Sequence, residues 1–598
     1  MMRYQNIYSL FCDRVEHYRG RDAFFVRHEE RWKGISWERF ETEAHEFASA
    51  LVAKGLERGN SVAILMGNVP AWPISDLGTI IAGGVSVGLY PTSSAEQCRY
   101  IIDHSEAEFV LVDTASQLEK ILSVRDKLPK VRTIIVLDEK AAGSHQGTIS
   151  YREFLRLGAE RMQETRAGIV ERARKAQPTE TVIMVYTSGT TGKPKGACLS
   201  HAYVINSVES LLRTIPMSDV DVSFSYLPFC HVAERISGLY NRLYAGAAAY
   251  FVEDMTKLWD YMQEVRPTVF ASLPRFFEKI HARACADLEQ ATAEEQRLFH
   301  EVLELGKRLG RLRQRRERVP ADLEREYEAK AWPVQKKIRD YFGGRIRLAT
   351  SGGAPLPQEI AEFFDALGIP ILQAYGLTEN VCVAFNRPDN YKFGTVGPPM
   401  PGCEVMIAED GEILVRSSMM FSGYYKEPDK TAEVLRDGWL LTGDIGELDA
   451  DGFLKITGRK KELIVTSTGK NIAPALIENL LKEHHLISHA LVYGDGRSYL
   501  VALVTLNPVE TESYANGHAI PYGDFADLTR SEAVIGLVQR IVDEVNRRIS
   551  STEAIRKFAI LDHDLSIEAE EITPTMKIKR KVLTAKYADV LERLYASH

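Results

Sequence analysis

Residues Thr181–Tyr186 form an apolar, β-branched run that opens directly into Thr187-Ser188-Gly189-Thr190-Thr191-Gly192-Lys193-Pro194-Lys195-Gly196. Such a run reads as a buried strand, so the polar segment after it must leave the edge of a sheet, where α/β proteins place their ligands. Glycines at 189, 192 and 196 allow the backbone to approach an anion, and four hydroxyls with two lysines add donors and positive charge. The segment suits a polyphosphate. It does not follow G-x-x-x-x-G-K-[ST], because Lys195 precedes Gly196 and no Ser or Thr comes next. Taken alone, the same composition also serves an ordinary surface turn.

The remainder of the chain repeats the strand-then-loop pattern. Short apolar runs at Val62–Met66, Phe109–Val112 and Thr133–Leu137 alternate with segments of helical period such as Ala71–Ile81, which predicts βα units around a mostly parallel sheet. Arg345–Thr350 predicts a strand feeding Ser351-Gly352-Gly353-Ala354-Pro355 and then a helix over Pro357–Leu367. Ile371–Gln373 predicts another strand, ending at Tyr375-Gly376-Leu377-Thr378-Glu379. Two polar loops after two strand ends fit one shared crevice.

Residues 282–340 differ: they are charged and helical in period, with Leu298, Val302, Leu305, Leu309 and Leu312 forming an apolar stripe opposite Lys307, Arg308, Arg311, Arg315 and Arg316. Two readings follow, a helical insertion packed on the main body with a solvated basic face, or a contact with an anionic membrane. Beyond Gly458, strand-like runs (Ile487–Tyr493, Tyr499–Leu506) and an amphipathic helix (Val534 to Ile549) suffice for a compact α+β unit. The predicted fold class is therefore α/β, a large multi-subdomain N-terminal domain (1–459) with mostly parallel sheets and a small mobile C-terminal domain (460–598).

With 598 residues the chain exceeds one ordinary core, and its net charge of −8 argues against general nucleic-acid binding. Seven scattered cysteines lack any C-x-x-C spacing, so neither a disulfide framework nor a zinc site is suggested, and a reducing cytosol fits best. The first residues lack a signal-peptide core, and the least polar stretch, Leu77–Tyr90, falls short of the ~20 residues a bilayer requires. The expectation is a cytoplasmic protein, at most peripheral at the inner membrane face; a homodimer is compatible with it.

Six further motifs follow the glycine-rich loop in fixed order: Leu227-Pro228-Phe229-Cys230-His231, Ser351–Pro355, Tyr375–Glu379, Gly438-Trp439-Leu440-Leu441-Thr442-Gly443-Asp444, Gly458-Arg459-Lys460-Lys461-Glu462 and Pro574-Thr575-Met576-Lys577-Ile578-Lys579-Arg580. In this order the chain resembles the adenylate-forming superfamily of acyl-CoA synthetases, peptide-synthetase adenylation domains and beetle luciferases. It is most similar to long-chain fatty-acid–CoA ligases, through Gly-Arg-Lys-Lys-Glu followed by Thr468-Gly469-Lys470-Asn471-Ile472-Ala473-Pro474. The resemblance implies ATP, Mg²⁺ and coenzyme A as co-reactants, with a carboxylate first forming acyl-AMP and pyrophosphate, and the CoA thiol then displacing AMP.

The roles it implies are specific. Thr187, Ser188, Gly189, Thr190, Thr191, Gly192, Lys193 and Lys195 would hold the β- and γ-phosphates. Glu379 would be the Mg²⁺ carboxylate. Gly352, Gly353, Ala354, Pro355 and Tyr375 would enclose adenine, with Gly376 and Thr378 beside them. Asp444, in isolation good turn chemistry, would accept from both ribose hydroxyls, and Arg459 would reach ribose or phosphate. Lys577 would bridge the acyl carboxylate and the α-phosphate. Lys579 is the second candidate there, because Met576 stands where the family often has glycine. Lys461 would be the hinge between half-reactions, Gly469 and Lys470 would contact CoA, and His231 would pack against the acyl group.

The acid itself is less constrained. The Phe-Asp-x-Ser motif of amino-acid activation is missing near His231-Val232-Ala233-Glu234-Arg235, and the gating aromatic of some fatty-acid ligases is replaced by Arg235. The insertion and the Gly-Arg-Lys-Lys-Glu subtype favour a long acyl chain. Alternatives are an aryl- or medium-chain CoA ligase, a fatty-acyl-AMP ligase and, from another class, a non-catalytic nucleotide or lipid sensor.

Overall fold

The computed structural model describes residues 3–143, 145–187, 193–467, 470–573 and 577–596. Its largest sheet has eight strands in the spatial order Gly423–Tyr424, Lys195–Ser200, Thr181–Thr187, Val85–Gly88, Ser61–Leu65, Ala107–Val112, Thr133–Val136 and Thr148–Ser150. From Thr181–Thr187 outward every pair on the βα side is parallel, whereas Lys195–Ser200 runs antiparallel to both of its neighbours. The central parallel strands are mostly apolar and largely buried, as strands covered on both faces are. Ala71–Ile81 is helical over the span the periodicity predicts, and all its residues are buried.

A four-stranded sheet joins Val222–Ser225, Ala248–Phe251, Asp22–His28 and Arg31–Ser36. Another joins Val269–Ser272, Leu348–Ser351, Ile371–Leu377 and Asn380–Phe385, its first three strands parallel and its last antiparallel. A five-stranded antiparallel sheet, built on Trp439–Leu448 and Leu454–Arg459, closes the N-terminal body. Beyond it, Ile487–Tyr493, Leu500–Leu506 and Ile555–Ile560 form a three-stranded sheet covered by the helix Glu532–Arg548. That helix buries Val534, Val538, Ile541, Val542 and Val545, the stripe its period predicts.

The charged segment forms three helices, Pro274–Glu289, Ala293–Gln314 and Ala321–Tyr341. Thr292 and Glu295 make a reciprocal capping box that starts the second. Its buried line is Phe299, Val302, Gly306, Leu309 and Gly310, rotated from the leucine stripe read in the sequence: Leu298, Leu305 and Leu312 are only half-buried. The reason is close approach. A Cβ on Gly306 would lie 2.2 Å from the Ala366 carbonyl oxygen, so the helix makes its closest approach to the neighbouring helix Gln358–Ala366 at a glycine and not at Leu298, Leu305 or Leu312. The basic face is partly neutralised, with Arg316 paired to Asp451 at 3.2 Å and Arg313 to Glu324 at 3.3 Å. Among the described residues no helix is long and apolar enough to cross a membrane.

Candidate active site

A cleft of about 3000 Å³ runs between the N-terminal body and the C-terminal unit. Thr187, Lys193, Lys195, His231, Gly352, Gly353, Ala354, Pro355, Tyr375, Gly376, Thr378, Glu379, Asp444, Arg459, Lys461 and Lys577 all line it. Ser188, Gly189, Thr190, Thr191, Gly192 and Gly469 lie outside the described residues. Lys470 is described and is not brought to the cleft: its ammonium is held by Ser550 at 3.2 Å, by Thr552 and, at 3.9 Å, by Glu553, all of the C-terminal unit.

The ends of two strands meet at Asp444. In the antiparallel pair Trp439–Leu448 and Leu454–Arg459, Asp444 stands opposite Arg459, whose Nε donates to Oδ1 at 2.7 Å. Tyr375, near the end of Ile371–Leu377, donates its hydroxyl to Oδ2 at 2.5 Å. Asp444 is 6 % exposed, and its backbone N–H donates to Thr442 Oγ1 at 3.1 Å. Burial, and then the Asp444 charge, push the Tyr375 phenol far above its usual value. For Arg459 burial works against the charge, but Asp444 overcomes it and the guanidinium is held more firmly protonated. An aromatic ring thus stands beside a fixed carboxylate and an arginine, which suits a base carried on a sugar.

On the opposite wall Lys195 starts the strand leaving the glycine-rich loop. Its ammonium lies 4.0 Å from the centre of the Tyr424 ring, and the Tyr424 hydroxyl donates to Glu379 Oε1. Burial lowers the Lys195 pKa, with Glu379 acting against it. Lys193 sits over Tyr100, whose hydroxyl donates to the Pro194 carbonyl at 3.1 Å. Among the described residues there is no group of three or more His, Cys, Asp or Glu arranged to hold a metal. A divalent cation beside Glu379 would therefore draw its other ligands from phosphate oxygens and water, the ligand set Mg²⁺ accepts.

Lys577 enters the cleft from the C-terminal unit. Its N–H donates to Thr573 Oγ1 at 3.0 Å and its carbonyl accepts from Thr573 N at 2.8 Å. The ammonium is open to the cleft's solvent but walled by protein, which lowers its pKa; Arg459 pushes the same way, and Asp444 and Glu462 oppose. Facing it is His231, pushed down to about 4 by burial and then by the Lys577 charge. His231 Nδ1 accepts the Ala233 N–H at 3.1 Å, so the neutral ring carries its proton on Nε2. Lys579 also lines the cleft, its N–H tied to the Glu571 carbonyl at 2.8 Å.

Arg235 does not line the cleft. It is fully buried in the π-helical turn Ala233–Tyr240, paired with Asp76, which also accepts from Tyr240 at 2.7 Å, and stacked over Trp72. It braces the wall and cannot act as a gate. Tyr424 and Glu462 are cleft residues the sequence reading missed. The available signals were Gly423 before a tyrosine pair, and an acid directly after the basic pair at 460 and 461.

A family model described as AMP-binding enzyme matches residues 11–425, and one described as AMP-binding enzyme C-terminal domain matches 461–598. The chain is 34 % identical to the long-chain-fatty-acid–CoA ligase FadD15 of Mycobacterium bovis, over 94 % of this chain and 92 % of that one. It is 33 % identical to the long-chain-fatty-acid–CoA ligase ACSBG1 of Mus musculus, over 98 % and 85 %. In fold it is similar to the anthranilate CoA ligase AuaEII, solved with anthranoyl-AMP, at 19 % identity and a TM-score of 0.72 over 98 % and 97 %. It is likewise similar to the adenylation domain of a carboxylate reductase from Mycobacterium chelonae, at 23 % and 0.73 over 99 % and 91 %. With the order of its motifs and the cleft that gathers them, the chain belongs to the AMP-binding enzyme family.

Proposed function

We propose that the protein activates a long-chain fatty acid with ATP and transfers the acyl group from acyl-AMP to coenzyme A. The observation that carries this reading is that Lys577, from the C-terminal unit, lines the same cleft as Asp444, Arg459 and His231 of the N-terminal body. With adenosine at Tyr375 and Asp444, the α-phosphate would come within the reach of Arg459 and Lys577, which line the same cleft. The ammonium of Lys577 offsets the repulsion as the carboxylate attacks phosphorus, and Lys193 and Lys195 stabilise pyrophosphate as it leaves. Mg²⁺ held by Glu379 would neutralise the phosphate charge. A thiol then displaces AMP from the mixed anhydride.

The long-chain assignment draws on the relatives' substrates and on the apolar wall of the cleft formed by Leu211, Ile215, Met217, Val381 and Phe385. Seven free thiols and no disulfide support a reducing, cytoplasmic setting. Peripheral contact with an anionic membrane is a separate proposal resting on the basic face of the insertion, tested at Arg311, Arg315 and Arg316. Replacing all three by Gln should abolish sedimentation with anionic vesicles, and unchanged sedimentation would discard it. For the activity, AMP release is measured with Mg-ATP, CoA and saturated acids from C2 to C20, alongside benzoate. Release should require CoA for turnover and peak with long acids; a benzoate or short-acid optimum would replace the acyl assignment, and acyl-AMP without thioester would remove CoA.

A further inference from the structure

Tyr424 stands between two opposite charges of the phosphate wall. Its hydroxyl donates to Glu379, and its ring face receives the Lys195 ammonium at 4.0 Å. Among the described residues neither Lys195 nor Glu379 belongs to any ion pair, although the Glu379 charge acts on Lys195. A lysine and a glutamate this near one another would ordinarily close into a salt bridge, which would consume the cation meant for phosphate and the carboxylate meant for a metal.

The tyrosine is itself firmly placed. It pairs with Ala197 across the sheet edge, its N–H donates to Thr431 Oγ1 at 2.9 Å, and its ring meets Phe421 edge-on at 4.9 Å. The same segment holds the Glu379 backbone, whose carbonyl accepts from Phe421 N at 2.8 Å. Packing alone needs only the ring. The hydroxyl is spent on Glu379, fixing one carboxylate oxygen and leaving the other as a free acceptor.

We propose that Tyr424 is a positioning residue that keeps Lys195 and Glu379 apart and oriented, the lysine toward nucleotide phosphate and the carboxylate toward a divalent cation. The inference rests on the functional reading above. Two variants separate the two contacts: Y424F keeps the ring and loses the hydroxyl, whereas Y424L loses both and frees Lys195 and Glu379 to pair.

The test measures equilibrium affinity for a non-reactive ATP analogue with and without Mg²⁺, and Mn²⁺ binding to the enzyme–analogue complex by electron paramagnetic resonance. Thermal unfolding confirms that each variant is folded. Y424F should leave metal-free analogue affinity unchanged, lose most of the Mg²⁺-dependent gain, weaken Mn²⁺ about tenfold, and recover kcat as Mg²⁺ is raised. Y424L should weaken the analogue even without metal, and Y424F should add nothing in an E379Q background. Wild-type Mg²⁺ dependence in a folded Y424F protein would overturn the proposal. Failure of the functional reading looks different, since wild-type enzyme would then release no AMP with any acid.

Discussion

A carboxylate offers about four acceptor positions, and at Asp444 two are spent on Tyr375 and Arg459. The remaining two are the ones a sugar diol would meet, so the acid is oriented before its ligand arrives. The role proposed for Lys577 is one of charge placement. In K577A, acyl-AMP formation should fall at least about 100-fold, while thioester formation from supplied acyl-AMP is retained; parallel loss in both assays would remove its assigned role. Because burial lowers this ammonium from the ordinary 10.5, and the charged form is the useful one, adenylation should decline at a pH below that of a solvated lysine. Glu462 raises the Lys577 pKa, so E462Q should move the alkaline limb of the pH–rate profile to lower pH. A limb that stays in place would exclude that coupling. Asp444 and Lys577 were legible in the sequence only through their ordered motifs, because an isolated Thr-Gly-Asp is as good a turn. Tyr424 was missed, since its partners, Lys195 at the start of a strand and the acid Glu379, lie far away in the chain and the tyrosine pair after Gly423 is a weak signal by itself.

Among the elements, regular strands and helices were the readable part. Ile487–Tyr493 is a strand and Ala71–Ile81 a helix over the spans periodicity predicts. The strand predicted over Arg345–Thr350 instead spans Leu348–Ser351, and Arg347 before it is paired with Asp221. The Ala293–Gln314 helix failed differently: periodicity finds an apolar stripe but not the smaller surface where a neighbour comes closest. That difference can be measured. Gly to Ala in an exposed helix gains roughly 1 kcal/mol, so G168A, with nothing within 4 Å of the new Cβ, should stabilise the protein. G306A meets the Ala366 backbone at 2.2 Å and should instead destabilise it by about 1–3 kcal/mol. Denaturant midpoints give both signs, and stabilisation by G306A would refute the glycine contact.

For the whole molecule, the cleft is shared by two bodies joined through Lys460–Glu462, a single tight turn after the strand that ends at Arg459. Here Lys577 faces the adenylation side while Lys470 is engaged within its own unit, an arrangement suited to the first half-reaction. On the proposed reading the second would need the C-terminal unit to turn, and hinge residues absorb such a change in backbone angles. K461P should therefore permit acyl-AMP formation and stall thioester formation; an unaffected overall rate would reject the hinge. The division into a large α/β body and a small α+β unit follows from composition and pattern, but how the two face each other depends on contacts between distant segments, which no local pattern encodes.

The edge of the eight-stranded sheet carries one more consequence. Lys195–Ser200, the strand that anchors the phosphate loop's exit, obtains its outer hydrogen bonds from Ser422 and Tyr425, at 2.8 Å each. During synthesis the loop and its strand emerge long before those partners exist, and until then the strand is an unsealed edge open to wrong pairing. The nucleotide site is thus completed late: until the chain reaches residue 425 the eight-stranded sheet lacks its outermost strand and the wall that carries Lys195 stays unfinished.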